Sequence, residues 1–332
     1  ITKLLYHLPV RLGGVGLPSH RDTMEAARKG YKVASAQFLA ERNLPNDDID
    51  DEDKGIKQKD IMNEVHHEKY WALISHLNPF QLSVFQDQVN KVHGAWMVVC
   101  PTTTKLTLTD PEVSIGLRQR TLVPVHGESP LCLLCGQAMQ LNHQEACRGS
   151  VNRRTYRHNA LRDLIVDQIR KGCQTGAHQE VSVEPLVAEE GSEDRVDMEV
   201  VGSLPTNGSG ASYDLAVLAL TNRKFTDTPN AVKEQQVTPN RDNDDPDIDR
   251  SYKPKAVTNH WIAKKVTEKI RKYDGRTKYL FLPLVITTGG TMNPFFKDLI
   301  KTMLQQSRRP YRSEISVLLL KYSTKLARPR NH

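Results

Sequence analysis

Four residues within sixteen positions, Cys132, Cys135, His143 and Cys147, have the types and spacing of a metal site. A Cys-x2-Cys pair lets two thiolates take one ion in a tight turn, and a nearby imidazole and third thiolate complete a tetrahedral set suited to Zn2+. Gly136, directly after the second cysteine, relieves crowding where the backbone must turn. Four protein ligands would close the site, making it structural, and such a site contributes about 10–16 kcal/mol of apparent folding free energy. Chance clustering of buried cysteines is the alternative. Cys100 and Cys173 have no complementary set and read as small apolar side chains. Five cysteines are an odd number, which fits a metal cluster in a reducing compartment better than a disulfide framework.

A second group is Asp197, Asp214 and Lys269. The two aspartates fall on consecutive predicted strands, and a hairpin between them can bring both carboxylates to one end of a sheet. Buried like charges need a cation between them, and hard carboxylate oxygens favour Mg2+ or Mn2+. The chemistry this predicts is metal-assisted hydrolysis, with Lys269 orienting a water or stabilising the developing charge. Arg148, Arg153, Arg154, Arg157, His158 and Arg162 follow the last cysteine ligand and read either as a phosphate grip or as solvated surface.

Positioning these groups requires regular elements. Met24, Ala27, Tyr31, Ala34 and Phe38 alternate in steps of three and four, which predicts an amphipathic helix over 19–41. An acidic run over 47–53 repels itself and reads as an exposed loop. A helical stretch over 56–92 breaks at Asn78-Pro79. Further on, the pattern predicts a helix over 156–173, strands over 181–187, 196–201 and 212–220, a polar insertion loop over 222–254, a helix closed by Gly275, a strand over 279–287 and a helix over 294–304. Turn chemistry at Pro205, Asn207, Gly208 and Gly210 joins the second and third strands as a hairpin. The expected class is α+β: helices over 1–130, a small zinc knuckle over 131–150, an α/β core with a mixed sheet over 151–307 and a basic tail over 308–332.

The 332 residues leave room for about two domains. The apolar fraction of 38% is below that of an ordinary globular domain, so part of the chain is expected to be linker. Apolar runs such as 279–286 and 317–320 are far short of the ~18–20 residues a membrane span needs. The net charge of +7 sits in the last 32 residues, where eight Lys and Arg face Glu314 alone. Such a tail lies along phosphates or is simply solvated. An opening on Ile1, without a basic and apolar leader, reads as a fragment of something longer with no secretory signal.

Taken in order, Leu8-Pro9-x-Arg11-x-Gly13-Gly14-x-Gly16-Leu17, the Cys-Cys-His-Cys knuckle, Arg157-His158-Asn159, Arg195-Val196-Asp197, Asp214-Leu215-Ala216-Val217 and Lys269-x-x-Lys272-Tyr273 resemble a known family. It is the C-terminal region of non-LTR retrotransposon reverse transcriptases that carry a restriction-like endonuclease. The resemblance implies a PD-(D/E)xK-like nuclease that nicks target DNA, in the nucleus, so that the freed 3′ hydroxyl primes reverse transcription of element RNA. It implies Asp197 and Asp214 as ligands of Mg2+ or Mn2+ and Lys269 as the catalytic lysine, with Lys265 and Lys272 as alternatives. Val196 stands where the family usually has Pro, and the spacing of 17 from Asp197 to Asp214 is slightly long. Partners implied are target DNA, element RNA, an upstream polymerase region of the same polypeptide and, for cutting both strands, a second copy. The glycine motif reads as a structural turn rather than a phosphate cradle, and Arg118 and Arg120 either touch nucleic acid or cap a helix. A non-catalytic nucleic-acid-binding module is the alternative function.

Overall fold

The computed structural model describes residues 1–42, 57–104, 106–125, 131–132, 134–172, 180–187, 193–202, 210–235, 255–306 and 311–327. The acidic run over 47–53, Cys173, the turn residues Pro205, Asn207 and Gly208, and the insertion beyond 235 lie outside them.

The N-terminal part is helical: α1 (Thr2–His7), α2 (His20–Ala40), α3 (Gln58–His76), α4 (Pro79–Gln88) and α5 (Asp110–Arg120). The break before α4 is where Asn78-Pro79 predicts it. Asn78 caps α4 by accepting from Gln81 N at 2.8 Å, and the Gln81 side chain returns the bond to Asn78 N at 3.1 Å. The glycine motif is a turn. Gly13 has φ +90°, and a Cβ on Gly14 would lie 2.0 Å from Leu8 O.

The face predicted to bury α2 is the exposed one. Met24, Ala27, Tyr31, Ala34 and Phe38 all face outward, with Tyr31 74% accessible. The helix packs instead through Ala26, Val33 and Ala36, and Gly30 sits so close to α3 that a Cβ would be 3.1 Å from Gln58 Cβ. Small side chains permit the closest helix approach, and that outcompetes the larger stripe within this chain.

The second part is α6 (His143–Ala146), α7 (Val151–Gly172), β1 (Glu180–Val183), β2 (Met198–Val201), β3 (Ala211–Leu218), α8 (Asn222–Thr226), α9 (Asn230–Glu234), α10 (Ala256–Tyr273), β4 (Leu280–Thr287), α11 (Pro294–Gln306) and α12 (Tyr311–Ala327). The strands form one mixed sheet in the order β1-β2-β3-β4, antiparallel except for β3 with β4, which run parallel across the α10 crossover. Alternate residues of β3 divide between two faces. Tyr213 and Leu215 join Leu161, Ile165 and Ile169 of α7, Phe296 of α11 and Ile315 of α12 in the main core. Ala216 and Leu218 face Ile262 and Val266 of α10. Asp214 shares their parity and so faces α10.

Two expectations change here. The insertion is not loop throughout, because 222–235 carries α8 and α9; Lys224 of α8 and Thr228 between the two helices accept from Trp261 Nε1 through O and Oγ1 at 3.2 and 2.9 Å. The basic tail is largely helix α12. Ile315 and Leu319 enter the main core while Val317 and Leu320 pack on Trp96 and Leu106, so the helix is apolar on two sides and lies between the two parts of the chain. Among the described residues no helix is long and apolar enough to cross a membrane.

Two stability measurements follow from this packing. Replacing Tyr31 or Met24 by Ser is expected to change unfolding free energy by only about 0.5 kcal/mol, whereas Val33→Asp costs about 3 kcal/mol or more; equal effects in urea melts contradict the orientation of α2. Burial also holds the Lys224 ammonium down to about 8. A folded-state pKa below the unfolded one makes the charged form costly, so stability rises with pH between the two values. Relative to Lys224→Met, the unsubstituted protein is therefore expected to gain on the order of 3 kcal/mol between pH 8 and 10.5.

Candidate functional site

The three cysteines and the histidine meet. Their ligand atoms all lie within 4.8 Å of one another. Cys132 Sγ is 3.7 Å from Cys147 Sγ, and Cys135 Sγ is 3.3 Å from His143 Nε2. Tetrahedral zinc with bonds of about 2.3 Å to sulfur sets such sulfurs roughly 3.8 Å apart, so the donor set fits the ion in type and spacing. The local turn is built by Gly136 N donating to Cys132 O and Cys132 N donating to Gln137 O, both at 2.7 Å, with Gly136 at φ +69°. Burial pushes the Cys147 thiol up to about 11, whereas Cys132, although burial opposes it, is held below its ordinary value by the N–H groups of Leu134 and Cys135. Burial lowers His143, favouring the neutral imidazole that ligates metals. Cys100 is exposed and stands apart.

The arginines after the knuckle are mostly spent inside the protein. Arg157 forms a buried ion pair with Glu145 of α6. Arg154 Nη1 donates to Cys147 O at 3.0 Å, and Arg162 pairs with Asp163 and Glu184. Arg120 is fully buried, donating to Gly14 O, Gln88 O and Val10 O and meeting His93 Nδ1 at 2.8 Å. It is a structural tie between α5 and the chain start, and no phosphate reaches it. Arg118 reaches Pro124 O at 3.4 Å, across the end of α5.

The acid group also converges. Asp214 lies in the middle of β3, not at its start, and Asp197 occupies the bend before β2, one step beyond the last ladder pair, Met198 with Tyr213. Continuing that register would set Asp197 opposite Asp214. Asp197 Oδ2 accepts from Leu215 N at 2.5 Å, and its Oδ1 is 2.9 Å from His158 Nε2 on α7. The Lys269 ammonium contacts Asp214 Oδ2. Lys265 and Lys272 turn elsewhere, to Glu268 at 2.8 Å and Asp194 at 2.9 Å. Burial, together with the Asp197 charge, raises Asp214 despite Lys269. Burial pushes Asp197 the same way, but the His158 bond, the Leu215 N–H and Lys269 outweigh it and leave Asp197 lowered.

The sequence names His158 in the basic stretch after the knuckle and in a motif but not as a partner of Asp197, and nothing in it marks Glu145; their partners are 39 and 12 residues away. No family model matches the chain, and no curated protein matches it. The geometry is the ground for a functional reading.

Purified protein is expected to carry one equivalent of zinc. Cys135→Ser should lose it, with destabilisation on the order of several kcal/mol. Metal analysis and thermal melts with and without chelator check this; stoichiometric zinc in Cys135→Ser together with an unchanged melt contradicts the site.

Proposed function

We propose that the chain is the endonuclease portion of a non-LTR retroelement protein, nicking DNA in a divalent-metal-dependent reaction. The observation that carries the reading is the acid pair: Asp197 and Asp214 where the β2–β3 ladder ends, with Lys269 on one carboxylate and His158 on the other. The order α7-β1-β2-β3, then the short α8 and α9, then α10-β4 supports it, giving a helix, three strands, a crossover helix and a parallel strand in one compact unit with a mixed sheet.

Asp197 and Asp214 would hold Mg2+ or Mn2+. Their fit rests on donor chemistry: two largely buried carboxylates, met by Lys269, His158 and Leu215 N at one contact per oxygen on three of their four oxygens, keep hard lone pairs suited to a cation. When bound, such an ion supplies Lewis acidity and a water of lowered pKa. Lys269 presents an ammonium beside Asp214, where it can orient the attacking water or neutralise charge developing on a phosphoryl oxygen. The same reading implies chromosomal target DNA, work in the nucleus, element RNA and an upstream polymerase region as partners, a second copy for second-strand cutting, and the zinc knuckle as a structural unit.

Nicking of supercoiled plasmid is expected with Mg2+ or Mn2+. Asp197→Ala or Asp214→Ala should abolish it, a loss of about a thousandfold or more, while salt-dependent DNA binding persists. Full nicking by both variants defeats the assignment. Binding without metal-dependent nicking by the unsubstituted chain selects the non-catalytic module instead.

A further inference from the structure

Two consecutive residues about two turns into α7 face two different centres. Arg157 is buried against the Glu145 carboxylate, which sits between the ligands His143 and Cys147. His158, one residue on and therefore about 100° around the helix, meets Asp197 Oδ1 at 2.9 Å. The turn before it is fastened to the knuckle as well. Ser150 Oγ donates to Cys147 O at 2.9 Å and Arg154 Nη1 to the same oxygen at 3.0 Å, while a Cβ on Gly149 would lie 2.8 Å from Leu134 O. The knuckle itself is one strand bridge, one four-residue helix and a single 3-10 turn, with Leu141 its one side chain packed against a described hydrophobic cluster. Its shape therefore depends on its metal.

From these contacts we infer that the metal-loaded knuckle is the brace of the nuclease centre: through Glu145 and Arg157 it sets the first turns of α7 and so holds His158 against Asp197. The inference rests on the proposed acid-pair site. Arg157 and His158 are positioning residues. His158 orients the Asp197 carboxylate, whose other oxygen is fixed by Leu215 N, and Arg157 acts on His158 through the helix they share. Removing the knuckle metal, by chelation or by oxidation of its thiols, would then weaken a site that none of its ligands touches. The basic motif thus works in bracing rather than in gripping phosphate.

The test uses the full chain carrying Glu145→Gln and Arg157→Met together, which removes the ion pair without stranding a buried charge. Three readouts are Mn2+ affinity by paramagnetic resonance, zinc content, and the 15N signals of the His158 ring with amide exchange over 155–162. Zinc is expected to stay at one equivalent, Mn2+ affinity to fall about tenfold, as for disrupted ligand-orienting partners, exchange to rise and the His158 signal to move. His158→Ala should weaken Mn2+ equally, add nothing in the double variant, and be rescued by His158→Gln, which keeps a donor. Unchanged Mn2+ affinity, or losses that multiply, overturns the brace. If the unsubstituted chain neither binds Mn2+ nor nicks DNA, the nuclease reading fails by itself. The ring signal and amide exchange then decide the brace alone, and no change in either overturns it.

Discussion

Two carboxylates where a strand ladder ends, both largely removed from water, repel each other, and the Asp197 charge together with burial raises Asp214. The fold answers with cationic or donor groups from both sides. α10, on one face, sends Lys269 to Asp214, and α7, on the other, sends His158 to Asp197. The sheet's alternation decides which residues meet: Tyr213 and Leu215 enter the core with α7, so Asp214 between them must face α10. The acid pair therefore depends on β3 being buried on both faces and on the two helices that cover it.

The knuckle is joined to this arrangement by charge as well as by packing. Its Glu145 is almost wholly buried and is neutralised by an arginine from α7. Removing one partner of such a pair is far more damaging than removing both, since the survivor is left charged in a dry site. Asn142, at φ +61°, adds a tie by donating from Nδ2 to Leu220 O at 3.1 Å, just past the end of β3. The knuckle thus touches α7, which carries His158, and the residues just past β3, the strand that carries Asp214.

The helical N-terminal part meets the sheet in the same manner. Asp87, at the end of α4, accepts from Thr287 Oγ1 at 2.7 Å, and burial raises its carboxyl although Lys255 lies near. A Cβ on Gly289 would fall 2.4 Å from Asp87 Oδ2, so the turn after β4 is shaped to receive that carboxylate. Arg120 gathers the carbonyls of Val10, Gly14 and Gln88. α12 fills the remaining seam with Val317 and Leu320 against Trp96. The junction combines the buried Asp87 contacts, the two-sided helix α12, and Leu220 and Val257 packed among Leu77, Leu82 and Phe85 of the N-terminal part.

By itself the sequence determined what local chemistry governs: the helix break at Asn78-Pro79, the turn at Gly13-Gly14, the four ligand types of the knuckle, and the alternation and turn residues that mark the strands around Asp197 and Asp214. These follow from spacing and backbone preference, which neighbouring residues settle among themselves. Tertiary structure alone decided which of three lysines meets Asp214, that His158 and Glu145 belong to the two centres, that the arginines after the knuckle turn inward, and that α2 packs through Ala26, Gly30 and Val33 rather than through its aromatic stripe. It also turned a basic tail into a core helix. In most of these cases the outcome was set by partners from a dozen to more than two hundred residues away, whose approach buries a charge or closes a gap between helices, and no spacing along the chain records that.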